Sequence, residues 1–196
     1  MESLETLLEK AEVAHGHLCA GQILGVRLAL LGLARIGIED PRGADRKRLV
    51  TYVEIDRCAT DAIALVTGCR LGKRTLKFRD WGKMAATFVD LATGRAVRVV
   101  ALEGSRELAR QRYPEIDNKS QQQMKAYREL GDEDLFQAEW VKVDVDPGEL
   151  PGHKGERFLC PGCGEGVNFG RFVERDGRRL CLSCARPALR YWQADC

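Results

Sequence analysis

Apolar positions along the chain fall into two periods, and each predicts a different kind of element. Leu4, Leu7, Leu8 and Ala11 recur at helical spacing, so residues 3–14 are predicted to form an amphipathic helix that stops near Gly16. The run from Ala20 to Arg35 is apolar on nearly every side, the pattern of a helix buried at the centre of a core. Its glycines, Gly21, Gly25 and Gly32, cost helix propensity that only close packing against neighbours offsets. At "RLVTYVEI" (48–55) β-branched and aromatic residues predict a strand, which feeds a short helix, "RCATDAIALVTG", ended by Gly68. "TLKFRDW" reads as a further strand, and "AATFVDLATGRAVRVVAL" as a hairpin turning at Thr93 and Gly94. Residues 105–113 and 118–130 are predicted helices, the second ending near Gly131, and "LFQAEWVKVDV" alternates as the last strand.

These elements do not alternate as regular βαβ units. The predicted fold class is therefore α+β, a mainly antiparallel sheet with helices packed against one face. "DPGELPGHKGE" (146–156) gathers two prolines, three glycines and several charges, which is linker composition. The expected organisation is a core domain over 1–147, a linker over 148–157 and a small C-terminal module over 158–196. No internal repeat or low-complexity tract interrupts it.

Charge and termini narrow the picture. Lys and Arg number 31 against 29 Asp and Glu, a net +2, so the balance does not point to nucleic acid or an anionic membrane. "MESLETLLEKAEVA" has neither the basic n-region nor the apolar h-region of a secretory signal, and a cytoplasmic location is expected. "AGQILGVRLALLGLARIG" carries Gln22, Arg27 and Arg35 and is too short to span a bilayer. Eight cysteines in a reducing compartment are metal ligands and thiols rather than disulfides.

"CPGC" (160–163) and "CLSC" (181–184), separated by seventeen residues, are the most specific signal in the chain. Cys160, Cys163, Cys181 and Cys184 can close tetrahedrally on one Zn2+, with a hairpin turning at Asp176 and Gly177 between the two knuckles. The second knuckle runs into "ARPALRYW", a predicted short helix, so a treble-clef-like zinc finger is expected rather than a flat ribbon. A fragment of about 40 residues lacks the core to fold unaided, which argues against four metal-free thiols. Four cysteine ligands leave no open position, so this zinc is structural. From Lys154 onward eight Lys/Arg face five Asp/Glu, and a zinc ion with four thiolates adds −2. The module is near neutral, which argues against nucleic-acid binding.

A second cluster precedes the long helix. "HGHLC" places His15, His17 and Cys19 at alternate positions. An extended segment would bring them to one side; alternatively, Cys19 begins the helix, where the dipole and free N–H groups favour a thiolate. A plain core cysteine with helix-capping histidines is the remaining reading. "EIDRCATDAIALVTGC" brings Glu54, Cys58 and Asp61 to a strand end and helix start, with Cys58 and Asp61 on one helix face. Cys69 stands roughly 15 Å along an intact helix from Cys58, too far to share an ion. It reads as a buried thiol, and Cys196 as a free one. "GCRLGKR" is one residue short of a Walker A spacing and lacks its Ser/Thr, which excludes that nucleotide site. Lys73 and, in "DWGKM", Lys83 are candidates to hold an anionic substrate group beside the Cys/His cluster, with Asp80 a further candidate substrate contact.

Taken together, "HGHLCAGQILGVRLALLGL", "RCATDAIALVTGCRLGKRTL", "DWGKMAATF" and the two-knuckle tail resemble the FmdE family, the E-type subunits of formylmethanofuran dehydrogenase, over nearly the whole chain. Trp81 stands where Tyr is commoner, leaving Asp80, Gly82 and Lys83 in place. The resemblance implies an α+β core, a C-terminal zinc finger, a tendency to form homodimers, and a pocket for a second divalent metal. It also implies association with a molybdenum or tungsten oxidoreductase complex, although the chain has no signature for that cofactor.

Three functions follow. The first is a metal-dependent enzyme or enzyme subunit. Its core ion (Zn2+, Fe2+ or Ni2+) is held by His17, Cys19 and Cys58, with His15 or Asp61 as a further or supporting ligand. Cys58, Asp61 and Lys83 are then the candidate catalytic groups, and Lys73 and Asp80 the candidate substrate contacts. The second is a non-catalytic metal- or cofactor-delivery protein. The third is a zinc-finger regulator, disfavoured by charge and by the lack of a recognition helix.

Overall fold

The computed structural model describes residues 1–193 and divides into two compact units, Met1–Asp144 and Val145–Cys196. In the first unit α1 (Leu4–His15) begins on Ser3, whose Oγ accepts the Thr6 N–H at 3.3 Å, and ends where Gly16 turns left-handed at φ 91°. α2 (Ala20–Ile36) runs through the centre of the unit, with Ile23, Val26, Leu28, Ala29 and Leu33 wholly buried.

The sheet has the order β2-β1-β3-β4-β5, formed by β1 (Leu49–Val53), β2 (Leu76–Phe78), β3 (Ala85–Asp90), β4 (Ala96–Ala101) and β5 (Phe136–Val141). Three of its four pairings are antiparallel, and β1 with β2 is the parallel exception. That exception follows from the chain: α3 (Cys58–Thr67) forms the crossover between β1 and β2, and a crossover returns the next strand parallel. α4 (Gly104–Arg112), α5 (Lys119–Glu129) and the one-turn α6 (Asp132–Leu135) fill the connection from β4 to β5. The α+β expectation holds, and the predicted hairpin is β3–β4. The short α6 has no counterpart among the predicted elements, because four residues carry no readable period.

The glycines of α2 explain themselves in space. A Cβ on Gly25 would stand 2.6 Å from the Ala59 carbonyl oxygen and 2.8 Å from its Cα, and one on Gly32 would enter the Phe88 ring at 2.1 Å. α2 is thus wedged between α3 and the sheet at distances that only glycine permits. Cys69 is 3% exposed and lies 3.5 Å from Thr51 Oγ1, as a buried thiol should; Cys196 lies outside the described residues.

At the end of β3 the wholly buried Asp90 accepts from Arg48 Nε and Nη2 (3.0 and 2.6 Å), Thr93 Oγ1 (2.7 Å) and the Ala92 N–H (3.0 Å). Arg48 in turn is bonded to Asp45. The β3–β4 turn is therefore tied to the segment that leads into β1.

Two outcomes follow. Gly25→Ala adds helix propensity but drives a methyl into backbone, so the urea midpoint should fall by the equivalent of roughly 1–3 kcal/mol, whereas Gly104→Ala, with nothing within 4 Å of its Cβ, should not lower it. The Arg48 guanidinium, with the Thr93 and Ala92 donors, holds the Asp90 carboxyl at about 2 against an ordinary 3.8. The folded value lies below the unfolded one, so this stabilisation is full above about pH 4 and is lost as pH falls towards 2. Acid-dependent denaturation should show a loss of about 2 kcal/mol in that window, flattened in Asp90→Asn.

Candidate functional site

The second unit is built from two hairpins and a short helix. β6 (Phe158–Leu159) and β7 (Gly166–Val167) flank the first knuckle, where the Cys160 N–H donates to Glu165 O and the Gly164 N–H to Cys160 O. β8 (Phe172–Arg175) and β9 (Arg178–Cys181) join at Asp176 and Gly177, both with positive φ (51° and 71°), the backbone of a type I′ turn. α7 (Leu182–Ala185) then follows directly from the second knuckle, with Cys181 as its N-cap. It lies earlier than the helix expected over "ARPALRYW". There Pro187 opens a single 3-10 turn to Leu189, since proline cannot continue an α-helix already under way. Phe158 and Phe172 meet edge to face at 5.5 Å, an aromatic pair too small to serve as a core.

Cys160, Cys163, Cys181 and Cys184 bring their sulfurs within 4.8 Å of one another. Tetrahedral zinc at Zn–S near 2.3 Å requires sulfurs about 3.8 Å apart, and Cys163 and Cys181 stand 3.9 Å apart. Backbone N–H groups are aimed at these sulfurs: Cys181 N at Cys160 Sγ (3.3 Å) and Cys184 N at Cys181 Sγ (3.4 Å). The Cys181, Gly162 and Cys163 N–H groups bring the Cys160 thiol down to about 6. These donors favour thiolate, the form that ligates a metal, at Cys160, while in the absence of an ion the neighbouring sulfurs push Cys163 and Cys184 the other way. The residues fit a structural zinc ion with all four positions filled by protein.

In the first unit the sequence candidates gather around two helix starts. Cys19 is the extended N-cap of α2 (φ −140°, ψ 166°), and Cys58 is the first residue of α3. Their side chains are neighbours: a Cβ on Gly21 would lie 3.5 Å from Cys58 Cβ and 3.8 Å from Cys19 Sγ. Burial pushes the Cys58 thiol up, and the neighbouring Cys19 thiol and Asp61 charge push the same way. Asp61, one turn along α3, receives His15 Nδ1 at 3.0 Å. The His15 and His17 rings lie 4.9 Å apart, centroid to centroid.

The alternation in "HGHLC" does not correspond to an extended strand. His15 closes α1, Gly16 is left-handed, and Cys19 is the extended N-cap of α2. Of the arrangements left open by the sequence, the extended segment is excluded and Cys19 stands at the helix start. Among the described residues, the finger cysteines alone bring three or more ligand atoms within 4.8 Å; His15, His17, Cys19 and Cys58 are neighbours rather than a closed ligand set.

Glu54 is not part of this corner. It is 2% exposed, and its carboxylate takes both Arg98 Nε and Nη2 at 2.8 Å. Its carbonyl instead pins the "DWGK" loop, accepting from the Trp81 and Lys83 N–H groups at 3.2 and 3.1 Å. The Lys83 ammonium sits 5.7 Å from the Trp81 ring centroid, and Lys83 and Asp80 are both exposed. Lys73 ends the exposed turn Leu71–Lys73. Arg98 is absent from the sequence candidates, although a lone arginine in the alternating run of β4 is the signal that marks it.

Comparison with known proteins agrees over both units. The family model described as "FmdE, Molybdenum formylmethanofuran dehydrogenase operon" matches residues 14–139, and that of the prokaryotic dksA/traR C4-type zinc finger matches residues 154–188. A protein of Archaeoglobus fulgidus described as a "Probable S-adenosyl-L-methionine-binding protein" is 32% identical over 202 residues, covering 93% of this chain and 53% of its own length. The chain thus spans about half the length of that relative. The crystal structure of a tungsten formylmethanofuran dehydrogenase FmdE-like protein from Syntrophus aciditrophicus superposes with a TM-score of 0.64 at 26% identity, covering 96% of this chain and 95% of the other.

The cysteine geometry sets an expected outcome. Cys163→Ser, or exhaustive chelation, should make residues 158–189 protease-sensitive while 1–144 keeps its helical circular dichroism, because the metal supplies the free energy that so small a core lacks. A finger that stays protected without metal would contradict the assignment.

Proposed function

The chain belongs to the FmdE family, and we propose that its core domain is a metal-dependent active site while its C-terminal four-cysteine zinc site is structural. The observation that carries the reading is the convergence of Cys19 and Cys58 at two helix starts, with a histidine–carboxylate pair beside them. The core ion is Zn2+, Fe2+ or Ni2+, for which mixed thiolate and imidazole donors are suited. Cys19, Cys58 and His17 are its ligands, and His15 is a fourth candidate. With Nδ1 engaged by Asp61, His15 presents Nε2, the arrangement in which a carboxylate fixes the tautomer of a ligating histidine. Three protein ligands leave a coordination position open, where the ion would polarise a substrate oxygen or a water.

The chain's own residues supply the rest. Asp61 orients His15 and can hold a proton next to the thiols. Lys83, on a loop pinned to the strand that leads into Cys58, and Lys73 offer positive charge for an anionic substrate, and Asp80 offers a hydrogen-bond acceptor for its polar groups. The family description and the Syntrophus relative support partnership with a molybdenum or tungsten formylmethanofuran dehydrogenase, and a homodimer in the cytoplasm fits that role. No helix among the described residues is long and apolar enough to cross a membrane.

Elemental analysis of protein purified without added metal tests the reading. About two ions per chain are expected for the wild type. Cys58→Ala and His17→Ala should lose the core ion and keep the finger's. A single ion, lost only with the finger cysteines, would overturn the core site. Release of the core ion to a chelator within seconds, without loss of the finger ion, would favour delivery over catalysis.

A further inference from the structure

The same corner carries a chemistry that metal binding does not exhaust. Of the described cysteines outside the finger, Cys69 is 3% exposed and bonded to Thr51, whereas Cys19 and Cys58 are only partly buried. Both are free thiols, and their side chains share the space in front of Gly21, where a Cβ would lie 3.5 Å from Cys58 Cβ and 3.8 Å from Cys19 Sγ. The close seat of α2 on α3 at Gly25 and Ala59 fixes their separation through backbone contact rather than through flexible side chains. The glycine at position 21 puts no side chain into that space. Distant in sequence, the two thiols are neighbours in the fold.

We propose that Cys19 and Cys58 form a reversible disulfide, making the corner a redox modification site. The oxidant is a low-molecular-weight disulfide. One protein thiolate attacks a sulfur of that disulfide, forming a mixed disulfide and releasing one small thiolate. The second protein thiolate attacks the protein sulfur of the mixed disulfide, releasing the other. Two electrons pass to the small disulfide, two protons leave the protein thiols, and one S–S bond forms for the one that breaks. The bond staples the starts of α2 and α3, which are already packed, so it demands no rearrangement of the core. It also removes two of the ligands named above; the inference rests on the nearness of the two cysteine side chains at Gly21 and deepens the metal reading without requiring it.

The full-length reduced protein is incubated with oxidised glutathione, quenched with an alkylating agent, digested with trypsin without reduction, and mapped by mass spectrometry. Cys19 falls in peptide 11–27, and Cys58 shares peptide 58–70 with Cys69. The expected product is a link between these peptides, retained in Cys69→Ala, abolished in Cys58→Ser, and at least tenfold more abundant than any link involving a finger cysteine. Stable glutathione adducts on Cys19 and Cys58 without a link, or a link that survives Cys58→Ser, would overturn the proposal. Metal content of the reduced protein, measured in parallel, separates the two readings: a link in a one-ion protein defeats the metal site alone, and two ions without a link defeat the disulfide alone.

Discussion

The seat of α2 on α3 is the contact on which the first unit depends. At Gly25 the two helices touch backbone to backbone, with the Ala59 carbonyl occupying the place of a Cβ. Seven residues on, two turns along the same face, Gly32 accepts the Phe88 ring from β3, so the same helix is also held against the sheet. An apolar helix this deeply buried gains most of its stability from packing rather than propensity, which is why three glycines are tolerated. The functional consequence lies one turn earlier, at Gly21. Because the axes are close at Gly25, the starts of both helices are close as well, and their first side chains are the two cysteines.

Charge is arranged around this frame by pairing. Glu54 and Asp90 are buried carboxylates, and each is met by an arginine from elsewhere in the fold. A buried carboxylate without such a partner would carry a heavy desolvation cost. The pairings also decide what is available for chemistry. Glu54 stands at the end of the strand that leads to Cys58, but Arg98 occupies both its oxygens. Asp61, by contrast, is exposed and engages the His15 imidazole.

What can be read from the sequence is what is local. The Cys-x2-Cys pairs place their ligands by chain geometry alone, and the Asp-Gly turn between them dictates its own φ values, so the finger is legible almost to the residue. The helices are legible because Gly16 and Gly68 end them and the apolar period fills them. "HGHLC" is only half legible for the same local reason: alternation leaves an extended segment and a helix start at Cys19 both open, and a left-handed Gly16 that ends α1 at His15, with Cys19 capping α2, gives the second. The contact between Cys19 and Cys58 and the pairing of Glu54 with Arg98 depend on helix packing and on strand register. No spacing in the sequence encodes either.

The two thiol sets differ in what their loss would do, and that difference separates their roles. In the finger, four sulfurs, one aromatic pair and two small hairpins carry the unit, so the ligands are the core and must stay bound for it to exist. In the first unit, Ile23, Leu33, Phe88, Ile63 and their neighbours are buried whether or not Cys19 and Cys58 hold anything. A thiol pair whose ligation state does not decide folding is free to exchange a metal, a substrate or a disulfide. Structural cysteines are closed in by N–H donors and by each other. The core pair is only partly buried, with the His15–Asp61 pair beside it.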